Sequence, residues 1–239
     1  MSNKKFIEYQ GSNFLRQRLV LSTISGRPIK ITKIRNNNDD LGIHEHEAGF
    51  IRLLDKITNG SKIEVNETGT SITYMPGSLN GGRVEHQCAL SRGIGYWLEP
   101  ILVLAPFCKD PLHLTLTGVT NHQFDPSPDM IKSSCFNVLK RFLLDDTGLE
   151  LIIKKRGCAP SGGGVVLFKC PVKKSLRPIN MMDQGKIKRI RGVAWAVGVS
   201  PSVVNRLVEV RTLNSSMTSF LSKTFFASSS VLKFSINFL

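Results

Sequence analysis

One pattern of helix, turn and strand signals occurs twice in this sequence and constrains the fold more than any other feature. In each copy a strand precedes an amphipathic helix that ends at a glycine, and two further strands follow before a proline. The copies repeat after roughly 85 to 90 residues, which is too long for a solenoid unit and suits a duplicated α/β lobe. The first copy comprises strand 28–34, the helix from His46 to Gly60, strands 62–66 and 70–75, and Pro76. The second comprises strand 111–117, the helix from Asp129 to Gly148, strands 150–154 and 165–170, and Pro171.

Apolar spacing predicts further helices around this repeat. Residues 12–25 form one candidate helix, which ends at Gly26. Residues 90–105 form another, and its apolar side chains on nearly every face are typical of a central, buried helix. We expect Pro100 to kink or split it. The helix near His46 carries one stripe that we expect to be buried: Phe50, Ile51, Leu54 and Ile57.

The composition indicates a soluble protein with an ordinary core. The chain has 239 residues, 41% of them hydrophobic, so it can bury a core in one large domain, or in one domain plus a fragment. It has no uninterrupted apolar run of about eighteen residues and no signal peptide at its start, so we expect an intracellular protein without a membrane partner. Five cysteines without a Cys-x-x-Cys pair argue against a disulfide framework or a zinc ribbon, and we expect them reduced and mostly buried.

The net charge of +14 is concentrated in one stretch of the chain. Residues 151–191 hold eleven Lys or Arg against a single acid, Asp183. A concentrated positive field attracts polyanions, so RNA, DNA or a ribonucleoprotein is the expected partner class; a solvated, soluble face is the alternative. The candidate RNA-binding residues are Lys154, Lys155, Arg156, Gly162, Gly163, Gly164, Lys173, Lys174, Lys186, Lys188, Arg189 and Arg191.

Glycines interrupt this basic stretch in the connection 156–164. A glycine triplet after Pro160 is typical of a flexible surface loop whose main-chain amides can approach RNA phosphate closely. A permissive hairpin connection is an equally good interpretation of the same residues.

Three other motifs carry weaker chemical signals. The cluster His44-Glu45-His46-Glu47 contains metal-ligating types, but its histidines lack the i, i+4 spacing of a helical metal site, so we interpret it as an acidic helix start. Residues 92–95, Arg-Gly-Ile-Gly, lack the third glycine and the lysine of nucleotide-binding loops, and the glycines are expected to permit close packing. Asp125 and Asp129 are predicted to form a turn and cap the following helix. We therefore expect no metal and no cofactor.

Several segments resemble the RNA 3'-terminal phosphate cyclase family, in particular its eukaryotic cyclase-like branch. The resemblance covers about residues 6 to 209. It is carried by residues 14–19, 25–28, 51–60, 92–96, 118–121, 125–127, 160–164 and 185–192. The family fold implies an α+β protein built from repeated β-α-β-α-β-β units, like the initiation-factor C-terminal fold, with a smaller domain inserted after the second unit.

The resemblance also implies that the chain is not an enzyme. True cyclases carry a Gly-Glu-Gly-Gly-Gly-Gln segment at their ATP site, and the matching residues 8–13 here place Tyr9 and Asn13 at the glutamate and glutamine positions. Cyclases also need a late nucleophilic histidine, whereas the last histidine here is His122. Covalent adenylation needs both the nucleophile and the pocket. The alternative is an RNA-end-processing enzyme, either a 3'-phosphate cyclase or a pre-rRNA endonuclease.

The cyclase-like branch implies a role in ribosome biogenesis. It implies a non-catalytic factor of the small-subunit processome, located in the nucleus and there in the nucleolus. This factor would support pre-rRNA processing and 18S rRNA maturation. The implied partners are pre-ribosomal RNA or a ribonucleoprotein and a ribosome-assembly GTPase.

The end of the chain departs from the family pattern. We predict two tandem repeats of the cyclase-like large domain over residues 1–185, the beginning of the inserted domain over 186–210, and a divergent Ser- and Phe-rich tail over 211–239. A strand from Lys188 to Val197 would then have an unpaired edge, which is an aggregation hazard.

Overall fold

A computed structural model of the chain describes residues 5–37, 40–173, 175–180, 182, 190–196, 200–214 and 232–238. The chain divides into two compact units. The first comprises residues 1–128 with 142–177, and the second comprises residues 129–141 with 178–239. Within the described ranges, no helix combines the length and the apolar character needed to cross a membrane.

The first repeat folds into a four-stranded sheet with two helices between its strands. Strand β1 runs parallel to β2, β2 pairs antiparallel with β5, and β5 pairs antiparallel with β4, so the sheet order is β1-β2-β5-β4. The short strands β3 and β6 form a separate pair. The elements are β1 (Ile7–Gln10), α1 (Leu15–Ser25), β2 (Ile29–Thr32), α2 (Glu45–Ile57), β3 (Thr58–Asn59), β4 (Lys62–Val65), β5 (Ile72–Met75) and β6 (Ser78–Leu79).

The second repeat has the same connectivity and the same strand pairing. Its sheet order is β7-β8-β10-β9, with β7 parallel to β8 and the other two pairs antiparallel. Helices α4 and α5 belong almost entirely to the second unit. The elements are β7 (Gly82–Gln87), α3 (Gly95–Leu104), a 3-10 turn (Ala105–Phe107), β8 (Leu112–Gly118), α4 (Pro128–Ser133), α5 (Cys135–Phe142), β9 (Glu150–Lys155) and β10 (Gly164–Cys170). The predicted β-α-β-α-β-β duplication is confirmed.

Sequence reasoning missed the first strand of each repeat, and of its two predictions for Pro100 only the kink remains. β1 and β7 were not predicted as strands, because Ile7–Gln10 is short and Gly82–Gln87 carries only two buried side chains. Helix α3 continues through Pro100 to Leu104, so the helix is not split there, and the predicted kink stays a prediction. Pro100 has no N–H for the Tyr96 carbonyl, which instead accepts a hydrogen bond from Arg16 of α1.

Apolar faces of both repeats meet along the helices. The predicted stripe of α2 is confirmed, since Phe50, Leu54 and Ile57 are fully buried and Ile51 nearly so. Helix α2 also contacts β7 of the second repeat, where Lys56 Nζ donates to the Glu85 carbonyl across 2.7 Å. The Trp97 indole of α3 is fully buried at Gly49 of α2, where an added Cβ would lie 3.4 Å from its Nε1. Hydrophobic burial between the repeats therefore fixes α2 against β7 and α3.

The cysteines follow the prediction in part. All five are free thiols. Cys88, Cys108 and Cys170 are buried, Cys158 is half-buried and Cys135 is exposed. Burial raises the pKa of Cys108 to about 11, so this thiol is not a nucleophile at neutral pH.

In the second unit, β11 (Ile190–Ala196) pairs antiparallel with β12 (Leu232–Phe238), and α6 spans Pro201–Asn214. The strand expected near 188–197 is thus present, but one of its edges is paired along its whole length, from Ile190 with Phe238 to Ala196 with Leu232. Among the described residues no strand pairs with the other edge of β11, so the expected unpaired edge is present there. Alternating apolar residues in the divergent tail supply the partner of the first edge. The boundaries at 185 and 210 stay predictions.

Candidate nucleic-acid interface

Tyr96 lies at a point where three helices begin. It is the second residue of α3 and is buried. The guanidinium of Arg16, the second residue of α1, lies 4.1 Å from the centroid of its ring, and that of Arg92 lies 4.7 Å away. His46, the second residue of α2, places its ring perpendicular to Tyr96 with the centroids 5.0 Å apart. Burial raises the pKa of Tyr96, so a neutral phenol lies between the guanidinium groups of Arg16 and Arg92.

Arg92 is held by Asp125 from the segment that follows β8. Its Nε donates to Asp125 Oδ2 across 2.9 Å, and its Nη2 donates to Oδ1. The main-chain N–H of Gly93 also donates to Oδ2, across 2.8 Å. Although burial alone would raise the pKa of Asp125, these hydrogen bonds lower it below its usual value.

The role predicted for Asp125 is therefore wrong. Asp125 does not cap the next helix, because its carboxylate is buried and faces Arg92 and Gly93 at the start of α3. Asp129 lies in the first turn of α4.

The two glycines of the Arg-Gly-Ile-Gly motif serve this same contact, as predicted. A Cβ on Gly93 would lie 3.0 Å from the Cβ of His122, and a Cβ on Gly95 would collide with the carbonyl oxygen of Pro126. The close approach of segment 122–126 to the start of α3 therefore requires glycine at both positions.

The acidic start of α2 is confirmed, and Glu47 also holds an arginine. Its carboxylate accepts from Arg35 Nη2 at 2.6 Å and Nη1 at 2.8 Å, and from the main-chain N–H of His44 at 2.9 Å. Burial alone would raise the pKa of Glu47, but these donors lower it. No group of three or more potential metal ligands occurs in the part of the chain that the structure describes.

Three residues with a strained backbone lie where strands β1 and β2 of the first sheet end. Phe14, Lys33 and Arg35 are the non-glycine residues with positive φ among those described, at 56°, 56° and 43°. All three lie in the connections that follow β1 and β2, where α1 and α2 begin. Such conformations are disfavoured for residues with a Cβ and concentrate at functional sites.

Two exposed phenylalanines flank the arginines. Phe14 precedes α1 and is 72% exposed, and Phe124, next to the buried Asp125, is 69% exposed. The rings of Phe124 and His122 lie 5.4 Å apart. Exposed aromatic side chains beside cations match the requirements for binding single-stranded nucleic acid, in which bases stack and phosphates pair with positive charge. We use the name Tyr96 cluster for Phe14, Arg16, His46, Arg92, Tyr96, His122 and Phe124.

The structure brings the predicted residues Lys154, Lys155 and Arg156 to this part of the second repeat. Lys154 and Lys155 are exposed at the end of β9. Arg156 precedes Gly157, whose carbonyl accepts from Thr120 N at 2.9 Å and from Thr120 Oγ1 at 3.0 Å. Thr120 lies two residues before His122. The end of β9 and the segment that carries His122 and Phe124 are therefore joined at the same end of the second sheet.

The predicted glycines are mainly packed within the protein. An added Cβ would lie 2.6 Å from Leu90 Cδ2 at Gly162 and 2.8 Å from the Gly118 carbonyl at Gly164, whereas Gly163 faces open space. Gly162 N donates to the Cys158 carbonyl across 2.8 Å, which closes the connection on itself. The description as a flexible loop is therefore wrong for Gly162 and Gly164, because internal packing holds them; contact of these glycines with RNA stays a prediction.

Of the remaining predicted residues, only Lys173 can be placed relative to this site, and it lies at the opposite end of the second sheet. Lys173 follows the far end of β10 and lies 3.5 Å from Asp145 Oδ2. Lys174, Lys186, Lys188 and Arg189 lie outside the described residues, and of Arg191 the structure describes only its main chain in β11. Sequence reasoning missed Arg16, Arg92 and Tyr96 as a cluster. The signal that could have found them is that Arg92 and Tyr96 flank a glycine-rich turn at a helix start.

Comparison with known proteins gives a consistent result. The family model for RNA 3'-terminal phosphate cyclase matches residues 7–231. The chain is 59% identical over 203 residues to human RNA 3'-terminal phosphate cyclase-like protein, a match that covers 85% of this chain and 54% of the relative. It is 54% identical over 202 residues to the probable cyclase-like protein of Drosophila melanogaster, covering 84% of this chain and 53% of the relative. It is 49% identical over 211 residues to the rRNA processing protein rcl1 of Schizosaccharomyces pombe, covering 87% of this chain and 58% of the relative. The chain thus spans about half the length of the curated relatives it matches.

Proposed function

The chain belongs to the RNA 3'-terminal phosphate cyclase family, and on that premise we propose that it acts without catalysis as an RNA-binding factor in ribosomal RNA processing. The proposal extends to its setting: the small-subunit processome in the nucleolus and the maturation of 18S rRNA. Its partners in this proposal are pre-ribosomal RNA and a ribosome-assembly GTPase. The S. pombe relative, named as an rRNA processing protein, supports the processing role.

The observation that carries the RNA part of the proposal is the Tyr96 cluster together with the end of β9. Arg16 and Arg92 stack on Tyr96, Phe124 is exposed beside them, and Lys154 and Lys155 extend the positive surface along the sheet edge. Phosphate pairing with the exposed Lys154 and Lys155 and stacking on Phe124 act on any single strand, so they support affinity for RNA without strong sequence preference.

Three ionisable groups in or next to the cluster, His46, Glu47 and Asp125, support a role without catalysis. Glu47 and Asp125 are each bound by an arginine, which holds them as carboxylates. Burial lowers the pKa of His46 to about 4. A general acid or base works best with a pKa near the operating pH, and these groups lie far from it.

RNA binding is tested with a fluorescent 20-nucleotide uridine-rich strand and the full chain. Replacing Lys154 and Lys155 by alanine should weaken binding about fivefold and lower the salt slope by about 1.4, because roughly two phosphate contacts with a single strand are lost. Phe124→Ala should weaken binding about tenfold with little change in the salt slope, because it removes stacking alone. The double variant Lys62→Ala/Lys109→Ala, two exposed lysines away from this edge, is the matched control. Equal loss of affinity in the control would contradict the assignment of the site.

The absence of catalysis is tested separately. Incubation with ATP and an RNA that ends in a 3'-phosphate should yield neither an adenylated protein nor a cyclic phosphate end. Formation of either product would replace the proposal with the alternative of an RNA-end-processing enzyme.

A further inference from the structure

Strand β1 is an outer edge of the first sheet. It pairs with β2 alone, through bonds such as Ile7 N to the Pro28 carbonyl at 3.0 Å and Gly11 N to the Thr32 carbonyl at 2.8 Å. In a parallel ladder alternate residues turn their main-chain groups to opposite sides, so those of Glu8 point away from β2. Among the described residues, no strand pairs with this side of β1. An unpaired edge of this kind is a template for an added strand.

A groove lies where β1 begins, next to the end of α1. Its volume is about 540 Å³, and it is lined by Lys5, Phe6, Ile7, Gly26, Arg27 and Pro28. Phe6 is 37% exposed, and in the last two turns of α1 Leu21 and Ile24 are 64% and 42% exposed. Exposed apolar side chains at and near a groove are typical of surfaces that bind other proteins.

The charge of the groove is positive. Lys5 and Arg27 are exposed, neither forms an ion pair within the described part of the chain, and no acidic residue lines the groove. Glu8, the next residue of β1, is exposed and has the exposed Lys30 of β2 as its register partner, so a cation lies on the neighbouring strand. A ligand with acidic groups therefore complements the groove.

We propose that the free edge of β1 and this groove bind an extended acidic segment of a partner protein by strand addition. The main chain of the segment pairs with that of Glu8, an apolar side chain enters between Phe6 and Pro28, and carboxylates meet Lys5 and Arg27. A nucleic acid is disfavoured, because it has no peptide groups with which to extend the ladder. The site is separate from the Tyr96 cluster and does not depend on RNA binding there.

The probe is a fluorescein-labelled peptide of ten residues that alternates aspartate and valine, titrated against the full chain by fluorescence anisotropy. We expect saturable binding. Methylation of alternate peptide nitrogens should weaken it at least about tenfold, because the methyl groups remove the ladder hydrogen bonds without altering the protein. The variant Lys5→Glu/Arg27→Glu should weaken it by a similar factor, whereas Lys62→Glu/Lys109→Glu, with the same change in charge, should change it less than about twofold.

Several results would overturn the proposal. These are the absence of saturable binding, equal binding of the methylated peptide, or an equal loss in the control variant. If Lys5→Glu/Arg27→Glu weakens binding of a single-stranded RNA but leaves peptide binding unchanged, the groove is an RNA contact and the proposal is wrong.

Discussion

Arg16 Nη1 donates a hydrogen bond to the main-chain oxygen of Tyr96 across 2.5 Å. In an uninterrupted helix that oxygen would accept from the residue at position 100, which is a proline and has no N–H to give. A side chain of the first repeat thus satisfies the carbonyl that a proline of the second repeat leaves without its helix partner. The same guanidinium stacks on the Tyr96 ring, so one residue both links the repeats and places a cation in the Tyr96 cluster.

Arg16→Ala should lower the free energy of unfolding by about 1 to 3 kcal/mol, because it removes a hydrogen bond to a part-buried carbonyl and a cation–π contact. Arg16→Lys should lower the free energy of unfolding less, since lysine keeps the positive charge. Some loss should remain, because lysine lacks the planar guanidinium that donates the hydrogen bond and stacks on the ring. Urea unfolding measures both. Gln17→Ala, at an exposed neighbour in α1, is the control, and a loss no larger than that of the control would contradict the assigned role.

Asp125→Asn should cost about 2 to 4 kcal/mol of stability, because it leaves the Arg92 guanidinium part-buried without its counter-charge. The midpoint of thermal unfolding should be lower for Asp125→Asn than for the control Glu64→Gln, which removes a carboxylate from the exposed face of β4. Similar midpoints for the two variants would mean that the buried ion pair contributes little.

Stability should fall as the pH drops from about 6.5 towards about 4, in part through His86. Burial, with Lys56 and Arg52 nearby, lowers the pKa of this histidine to about 4 from an ordinary value of 6.5. Between these values the unfolded chain binds more protons than the folded chain, so acid favours unfolding. His86 should account for a loss of about 1 to 2 kcal/mol between pH 7.5 and pH 5.

The share of His86 is isolated by substitution. His86→Leu should flatten the pH dependence of the unfolding free energy, while His113→Gln, at an exposed position on β8, should leave it as it is. Because burial also lowers the pKa of His46 to about 4, part of the slope should remain in the His86 variant. An unchanged slope in His86→Leu would exclude this histidine as a source.

Thr120→Val should loosen the connection that follows β9. The buried Thr120 hydroxyl donates to the Gly157 carbonyl at 3.0 Å and accepts from Gly157 N at 3.2 Å, and valine keeps the shape but can do neither. We expect a loss of about 1 to 2 kcal/mol and faster hydrogen exchange at the Gly157 amide. Thr117→Val, on the half-exposed face of β8, should leave hydrogen exchange at Gly157 unchanged. An equal effect of both variants would contradict the role assigned to the Thr120–Gly157 hydrogen bonds.

The elements with a clear apolar period were predictable. Alternation in β8 buries Leu112, Leu114 and Leu116, and helical spacing in α2 buries Phe50 and Leu54, as the sequence predicted. Strand β1 was not predictable in this way, because Ile7–Gln10 has four residues and is a strand through its pairing with β2. Periodicity reports which face of an element is buried, and it is weak where an element is too short to repeat.

The candidate site was likewise only partly predictable from the sequence. The excess of lysine and arginine in residues 151–191 was visible in the sequence, but the structure takes Lys154 and Lys173 to opposite ends of the second sheet. The pairing of Arg92 with Asp125 joins residues 33 apart, and that of Arg16 with Tyr96 joins residues 80 apart. No local pattern marks such partners.

The duplication, the buried faces and the acidic start of α2 follow from the amino-acid sequence, since each rests on local spacing that the backbone turns directly into position. The tertiary structure alone decided that α1, α2 and α3 begin around Tyr96, and therefore which charges meet there. The physical reason is that burial of Trp97 and of the α2 stripe fixes how the two repeats pack. That packing, and not the order of residues, sets the distances between side chains from different repeats.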